Sequence, residues 1–293
     1  MVVIKSREIT GRTPARLTPP CCPASGRGRP ARLPCSMAEW TGLVSFLIAI
    51  LLSFIDIRFS AIPLAEFILL CLFAPFLPFL GYYLPIISRG KSGEPAVALT
   101  FDDGPDPLST PELHWLLSKH RVKATFFVIG EKAFKHPELI KEIVRQGHSI
   151  GNHTYSHDHL MLLKSSHHLL NEIETTQNVL RELGVISFAF RPPVGITGPG
   201  LHQVLRHLNL YTVNFSCRAF DGGNRRIRNL SKRILKRVHP DDIILLHDTR
   251  PKNDKLFSDW LKEMDQILTG IEAKGLTVLP LSAIIGRPVM GKP

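Results

Sequence analysis

Two histidines four residues apart, His153 and His157, and two adjacent carboxylates, Asp102 and Asp103, are the side chains of this chain best suited to a hydrolytic metal site. One carboxylate with two imidazoles makes a facial N,N,O set that binds zinc or a similar divalent ion and leaves positions open for water and substrate. The other carboxylate and the histidine of Leu246-His247 remain for acid and base work. In Gly151-Asn152-His153-Thr154-Tyr155-Ser156-His157 the spacing of four predicts that both rings share one face of a helical turn. The nearby His148 and His159 are read as bystanders.

These groups need rigid elements behind them. Asp102-Asp103-Gly104-Pro105 closes an apolar strand over 96–101, so successive carboxylates point in different directions, one toward an ion and one toward its water. Arg191-Pro192-Pro193-Val194-Gly195 follows a short strand, and its consecutive prolines present Arg191 and the amide of Val194 from a stiff loop. Asp242-Ile243-Ile244-Leu245-Leu246-His247 runs from an apolar strand into a rim histidine. Further strands are predicted over 124–129, 188–191, 211–215 and 276–279, and helices over 111–120, 137–146, 166–183, 227–238 and 257–274. Strands alternating with helices imply a parallel sheet or barrel whose functional residues sit at the carboxyl ends of the strands.

Ahead of this domain the chain is different in kind. Residues 43–87 are almost continuously apolar, interrupted at Asp56, Arg58 and Glu66, which reads as membrane insertion. Spans are expected over 41–55 and 67–87, the second kinked by Pro75, Pro78 and Pro85, and together they form a hairpin or one span with an interfacial segment. Residues 1–36 are rich in Arg, Pro, Gly and Ser and hold +6 of the formal charge of +11, a basic flank that sets orientation. They read as a disordered tail, dispensable if translation begins at Met37. The organisation expected is therefore a tail over 1–36, a membrane anchor over 37–93, a catalytic domain over 94–286 and a C-terminal tail over 287–293. No aromatic-interleaved basic surface suggests nucleic-acid binding. The five cysteines supply no pair within the folded domain and so no disulfide framework.

From about Glu94 to Ile285 the chain resembles the polysaccharide deacetylase domain of carbohydrate esterase family four, the NodB homology domain. The resemblance rests on Thr100-Phe101-Asp102-Asp103-Gly104-Pro105, His153 to His157, Arg191 to Gly195, Leu246-His247 and the accompanying Thr125-Phe126-Phe127-Val128-Ile129-Gly130, in the family's order. It implies a distorted (β/α) barrel preceded by transmembrane segments, and metal-dependent amide hydrolysis. By the same resemblance Asp103, His153 and His157 hold one divalent ion, zinc before cobalt, nickel or manganese. Asp102 is then the general base, His247 the general acid, Arg191 the partner of Asp102, and the Val194 amide an oxyanion donor. The family's fourth motif carries an aspartate that tunes the acid histidine, then a second aspartate and a tryptophan. In Phe215-Ser216-Cys217-Arg218-Ala219-Phe220-Asp221-Gly222 the resemblance puts Arg218 at the first of these, Asp221 at the second and Gly222 at the tryptophan.

Arg218 is read as facing an anionic part of the substrate, with Asp221 or Asp248 taking over the pairing with His247. The expected activity is removal of N-acetyl groups from N-acetylhexosamine units of a cell-envelope glycan such as peptidoglycan or a chitin-like oligomer. Deacylation of a lipid-linked amino sugar, ester cleavage on acetylated xylan-like chains and a non-catalytic glycan-binding module are the alternatives. The expected partners are that glycan and the membrane. The family favours a catalytic domain outside the cytoplasm, while Arg89 and Lys91 beside the second span favour the cytoplasmic face.

Overall fold

The computed structural model describes residues 36–77, 80–161 and 164–291, so the tail expected over 1–36 falls outside the described residues except for Ser36. Two apolar helices come first, α1 (Met37–Ser53) and α2 (Ala61–Phe73). Ser36 caps α1 in a reciprocal capping box with Glu39. Continuous helical turns over Ile57–Phe76, 20 residues, make one run long and apolar enough to cross a membrane. The second apolar segment thus starts earlier than its expected 67 and ends at Phe76, where Pro75 closes the helix. Its predicted continuation to 87 fails. Tyr82, Tyr83 and Leu84 are buried in the domain, and Ile86–Ile87 form the first strand, β1.

The catalytic domain alternates as expected: β2 (Ala96–Asp102), α3 (Ser109–Lys119), β3 (Thr125–Val128), α4 (Gly130–Lys135), α5 (Pro137–Arg145), β4 (Ser149–Asn152) and α6 (Ser166–Glu182). Then come β5 (Ile186–Ser187), β6 (Ala189–Phe190), α7 (Pro199–His207), β7 (Tyr211–Val213), β8 (Cys217–Arg218), α8 (Leu230–Leu235) and β9 (Ile243–His247). The helix α9 (Asp254–Ala273), β10 (Thr277–Val278), α10 (Leu281–Ile285) and β11 (Met290–Gly291) complete the chain. The helix predicted over 227–238 shrinks to α8, because Asn229 just before it sits in the left-handed region at φ 58°.

Strand order is β1-β7-β6-β4-β3-β2-β9-β8 with every pairing parallel, and β10 adds to the start of β2. Among the described residues β8 and β1 do not pair, so the distorted barrel is an open, curled sheet. Strand pairing reaches beyond the expected 94–286 at both ends, in the main sheet through β1 and in a separate two-stranded sheet through β11. β1 pairs with β7, and β11 pairs antiparallel with β5 beside the buried Val289.

Alternation along β2 decides where the chemistry can sit. Val97, Leu99 and Phe101 face the outer helices and join Leu113, Leu117, Phe126, Ile143 and Trp260 in the largest core cluster. Ala96 and Ala98 point into the curl with Phe127, Val213 and Ile243. Thr100 and Asp102 follow the same inward register. A third cluster joins α6 and α7 to Tyr82, Tyr83 and Leu84, seating the segment after α2 on the domain.

Candidate active site

Register brings the distant motifs to one rim. Asp102 and His247 are paired residues at the ends of β2 and β9, and Asn152 pairs with Phe190, so His153 and Arg191 leave the sheet side by side. All of these are carboxyl ends of parallel strands, as the alternation predicted. They open into a cleft of about 750 Å³ lined by Asp102, Asp103, His153, His157, Val194, Arg218, Asp221 and His247, all nine site residues expected from the sequence except Arg191. Arg191 lies just beneath, fully buried.

Asp103 leaves the strand with φ 70°, a left-handed conformation that swings its carboxylate toward the two histidines. Its Oδ1 lies 3.4 Å from His153 Nε2 and 3.0 Å from His157 Nε2. One donor atom from each of the three falls within 4.8 Å of the others, compact enough to close around a single ion. His153 Nδ1 is 2.8 Å from the Arg191 carbonyl oxygen, which can only accept. Nδ1 therefore carries a proton, which leaves Nε2 as the ring nitrogen available to a metal ion. Burial alone would raise the Asp103 carboxyl, but its bonds to His153 and His157 outweigh that and hold it well below the usual carboxylate range. The residues present thus fit a divalent ion.

The two histidines do not share a helical turn, contrary to the spacing argument. Residues 153–157 form a loop in which Thr154 (φ 66°) and His157 (φ 57°) are both left-handed. Local polar bonds outcompete the helix here. Asn152 Oδ1 accepts from the Thr154 amide at 2.9 Å, and Thr154 Oγ1 accepts from the His157 amide at 3.2 Å. Glu172 of α6 accepts from the Ser156 amide at 2.8 Å and the Tyr155 amide at 3.2 Å, from a buried position. Glu172 was not singled out from the sequence, although an acid on the buried face of α6 beside Leu169, Ile173 and Thr176 is a signal.

Arg191 fastens the second carboxylate. Its Nη1 donates to Asp102 Oδ1 at 2.6 Å and to Thr100 Oγ1 at 2.7 Å, while Nε and Nη2 donate to the carbonyls of Val213 and Asn214. The guanidinium lies 4.0 Å from the Phe127 ring centroid. Asp102 Oδ2 is left on the side of His153 Nε2, 3.8 Å away. Val194, 55% exposed and at φ 60°, crowns the rigid Pro192-Pro193 turn at the cleft mouth.

Across the cleft, Asp221 Oδ2 is 2.8 Å from His247 Nδ1. The partner of His247 is therefore Asp221, in the position the motif comparison gave to a second aspartate. Arg218 does not take that place. Its guanidinium stacks on Phe220, 4.1 Å from the ring centroid. Asp248, the other candidate partner, is fully buried and accepts from Ser109 and Thr110 hydroxyls at 2.6 and 2.5 Å. Burial would lower the His247 pKa, but the hydrogen bond and charge of Asp221, with Asp103 and Asp102 behind, push it up to about 9. The ring is thus a cation at neutral pH.

Three further residues were missed by sequence reasoning. Lys132 Nζ donates to the Asp103 carbonyl at 2.7 Å and lines the cleft. Asn224 Nδ2 donates to the carbonyls of His247 and Thr249 at 3.0 and 2.8 Å, a role its place after Asp221-Gly222-Gly223 hints at. His159, read as a bystander, stands at the cleft with its ring 4.8 Å from that of His157. His148 is a core residue stacked on His114.

Over most of its length the chain is similar to known proteins. The family model for polysaccharide deacetylase matches residues 89–213. A chitooligosaccharide deacetylase of Sinorhizobium fredii is 35% identical over 178 residues, 60% of this chain and 83% of that protein. A peptidoglycan-N-acetylglucosamine deacetylase of Bacillus cereus is 33% identical over 67% of this chain and 70% of its own length. A crystal structure of a peptidoglycan N-acetylglucosamine deacetylase in complex with 4-naphthalen-1-yl-N-oxidanyl-benzamide gives a TM-score of 0.63 at 32% identity, covering 70% of this chain and 94% of that one. The family match spans the strands that deliver Asp102, Asp103, His153, His157 and Arg191, and the relatives extend it over most of their own length, so the chain belongs to the polysaccharide deacetylase family.

Proposed function

We propose that this protein is a metal-dependent N-deacetylase acting on N-acetylhexosamine units of a cell-envelope glycan, with Asp103, His153 and His157 as the metal ligands. The observation that carries the reading is the pairing of two differently prepared groups in one cleft, Asp102 tied to Arg191 and His247 tied to Asp221. A divalent ion such as zinc, when bound, supplies Lewis-acid activation of the amide carbonyl and of water. Asp102 is the base: the arginine pairs with Oδ1 and leaves Oδ2 toward the triad, where it takes the proton of the attacking water. His247 is the acid, protonated through its pairing with Asp221, and it gives its proton to the departing sugar amine. The Val194 amide is assigned to the oxyanion, presented by a turn that prolines hold rigid. A non-catalytic glycan-binding module has no need of both proton carriers with their partners, and both are present.

Substrate class follows from the relatives, which are named for chitooligosaccharide and for peptidoglycan N-acetylglucosamine. The anchor reading rests on α1 and α2. Their outward faces expose Trp40, Leu43, Phe46, Leu47, Leu51, Leu69 and Leu72, a surface suited to lipid. Their ends meet, since Ala38 N donates to Tyr82 O at 3.1 Å, Thr41 Oγ1 lies 2.6 Å from Tyr82 OH, and Tyr83 OH donates to Cys71 O at 2.7 Å. We infer a hairpin that enters the membrane and returns. The experiment is acetate release from N-acetylated chito-oligomers and peptidoglycan fragments by purified protein loaded with zinc. Release that chelator abolishes supports the proposal; zinc-loaded protein that leaves every such amide intact contradicts it.

A further inference from the structure

The cleft has a cationic stretch that no carboxylate pairs with among the described residues. Arg218, Arg225 and Arg226 all line it, and the cleft's carboxylates are already engaged: Asp102 with Arg191, Asp103 with the two histidines, Asp221 with His247. Arg218 is also pre-oriented. Its guanidinium lies 4.1 Å from the Phe220 ring centroid and 5.2 Å from that of Phe215, while Arg237 approaches the same Phe220 ring at 5.3 Å. Stacking fixes the plane of a guanidinium and leaves its N–H edge free to bind an anion in bidentate fashion. Holding two guanidinium groups around one ring that is 54% exposed, with no carboxylate paired to either among the described residues, disfavours both unless an anion arrives.

Two glycines lie in the segment between Arg218 and Arg225. Gly222 and Gly223 link Asp221 to Asn224 in left-handed conformations, at φ 61° and 68°. A Cβ on Gly222 would meet nothing within 4 Å, and one on Gly223 would stand 3.8 Å from Asp103 Oδ2. The glycine pair therefore leaves the cleft beside the triad without side chains at these two positions.

We propose that Arg218, with Arg225 and Arg226, forms a subsite for an anionic group, a phosphate or a carboxylate, that the substrate carries next to the sugar whose amide is cut. This rests on the deacetylase reading and narrows its substrate to an anionic amino sugar. A sugar phosphate linked to a lipid and a sugar acid within a glycan both offer that chemistry.

The test compares three substrates on zinc-loaded protein: neutral chitotriose, an alkyl phosphodiester of N-acetylglucosamine, and a peptide-free disaccharide containing N-acetylmuramic acid. The expected wild-type result is a kcat/KM at least about tenfold higher on one or both anionic substrates, the size of one charged hydrogen bond. Which of the two is preferred distinguishes phosphate from carboxylate. Arg218→Ala should reduce kcat/KM on the preferred anion, mainly through KM, by at least about tenfold more than on chitotriose, with Arg218→Lys only partly restoring it. A second readout is independent of turnover: calorimetric binding of N-acetylglucosamine 1-phosphate to Asp102→Asn protein, weakened by added salt and lost when Arg218→Ala is combined with it. Equal losses on neutral and anionic substrates, or a wild-type enzyme without preference, would overturn the subsite while leaving the deacetylase reading intact. No acetate from any of the three would overturn both.

Discussion

Asp221 Oδ2 accepts a 2.8 Å hydrogen bond from His247 Nδ1, and that contact fixes which nitrogen of the ring serves the cleft. Asp221 is in turn held by the Asn224 amide at 3.2 Å. The pair lifts the His247 pKa to about 9, so the proton-donating form is fully present below that pH and is lost as pH rises through it. The basic limb of the kcat/KM profile should therefore fall near pH 9. Asp221→Asn removes the charge and lets the pKa drop toward the unperturbed value of ~6.5. Turnover at pH 8 should then fall by about thirtyfold, the ratio of the protonated fractions at the two pKa values. A variant whose basic limb stays in place would separate His247 from the proton-donor role.

Glu172 lies outside the cleft lining, yet it holds the loop between His153 and His157, the proposed metal ligands, through the amides of Tyr155 and Ser156. Glu172→Ala should weaken metal affinity by about 10–100-fold, the usual cost of losing a residue that orients ligands. Glu172→Gln keeps an acceptor and should recover most of it. Affinity is read by competition with a chromogenic zinc chelator. Equal losses for Ala and Gln variants would show that charge, and not loop positioning, is what Glu172 contributes.

The hairpin has a topological consequence. Because Ala38 and Tyr82 are hydrogen-bonded, the start of α1 and the catalytic domain lie on one side of any bilayer that the helices enter. Tags placed directly before Met37 and after Pro293 should be protected from, or exposed to, protease together in intact cells and spheroplasts. Opposite behaviour of the two tags would require a single span.

Much of the site was readable because parallel sheets put function at strand ends. Apolar runs of four to seven residues marked β2, β3 and β9, and the polar residues that follow them, Asp102, Asp103 and His247, lie at the rim. Sequence spacing was a poor guide wherever side chains compete with backbone bonds. His153 and His157 looked helical, but Asn152, Thr154 and Glu172 claim the amides that a helix would use. Asp221 was identified as a site residue, yet its pairing with His247 depends on a turn through Gly222 and Gly223 that has no periodic signature. The second apolar segment was placed too late because hydropathy does not distinguish a lipid-facing helix from a buried connection such as Tyr82-Tyr83-Leu84. Proline positions did carry that information, since Pro75 closes the helix.

The central claim is the division of labour between adjacent carboxylates, Asp103 on the ion and Asp102 on the water. It is tested most directly by measuring zinc content and acetate release on the same preparations of wild type, Asp103→Asn and Asp102→Asn. Asp103→Asn should lose both zinc and activity. Asp102→Asn should retain about one zinc per chain and lose at least about a hundredfold in kcat. An Asp102→Asn protein that loses its zinc as completely as Asp103→Asn, or that keeps wild-type turnover, would contradict the account.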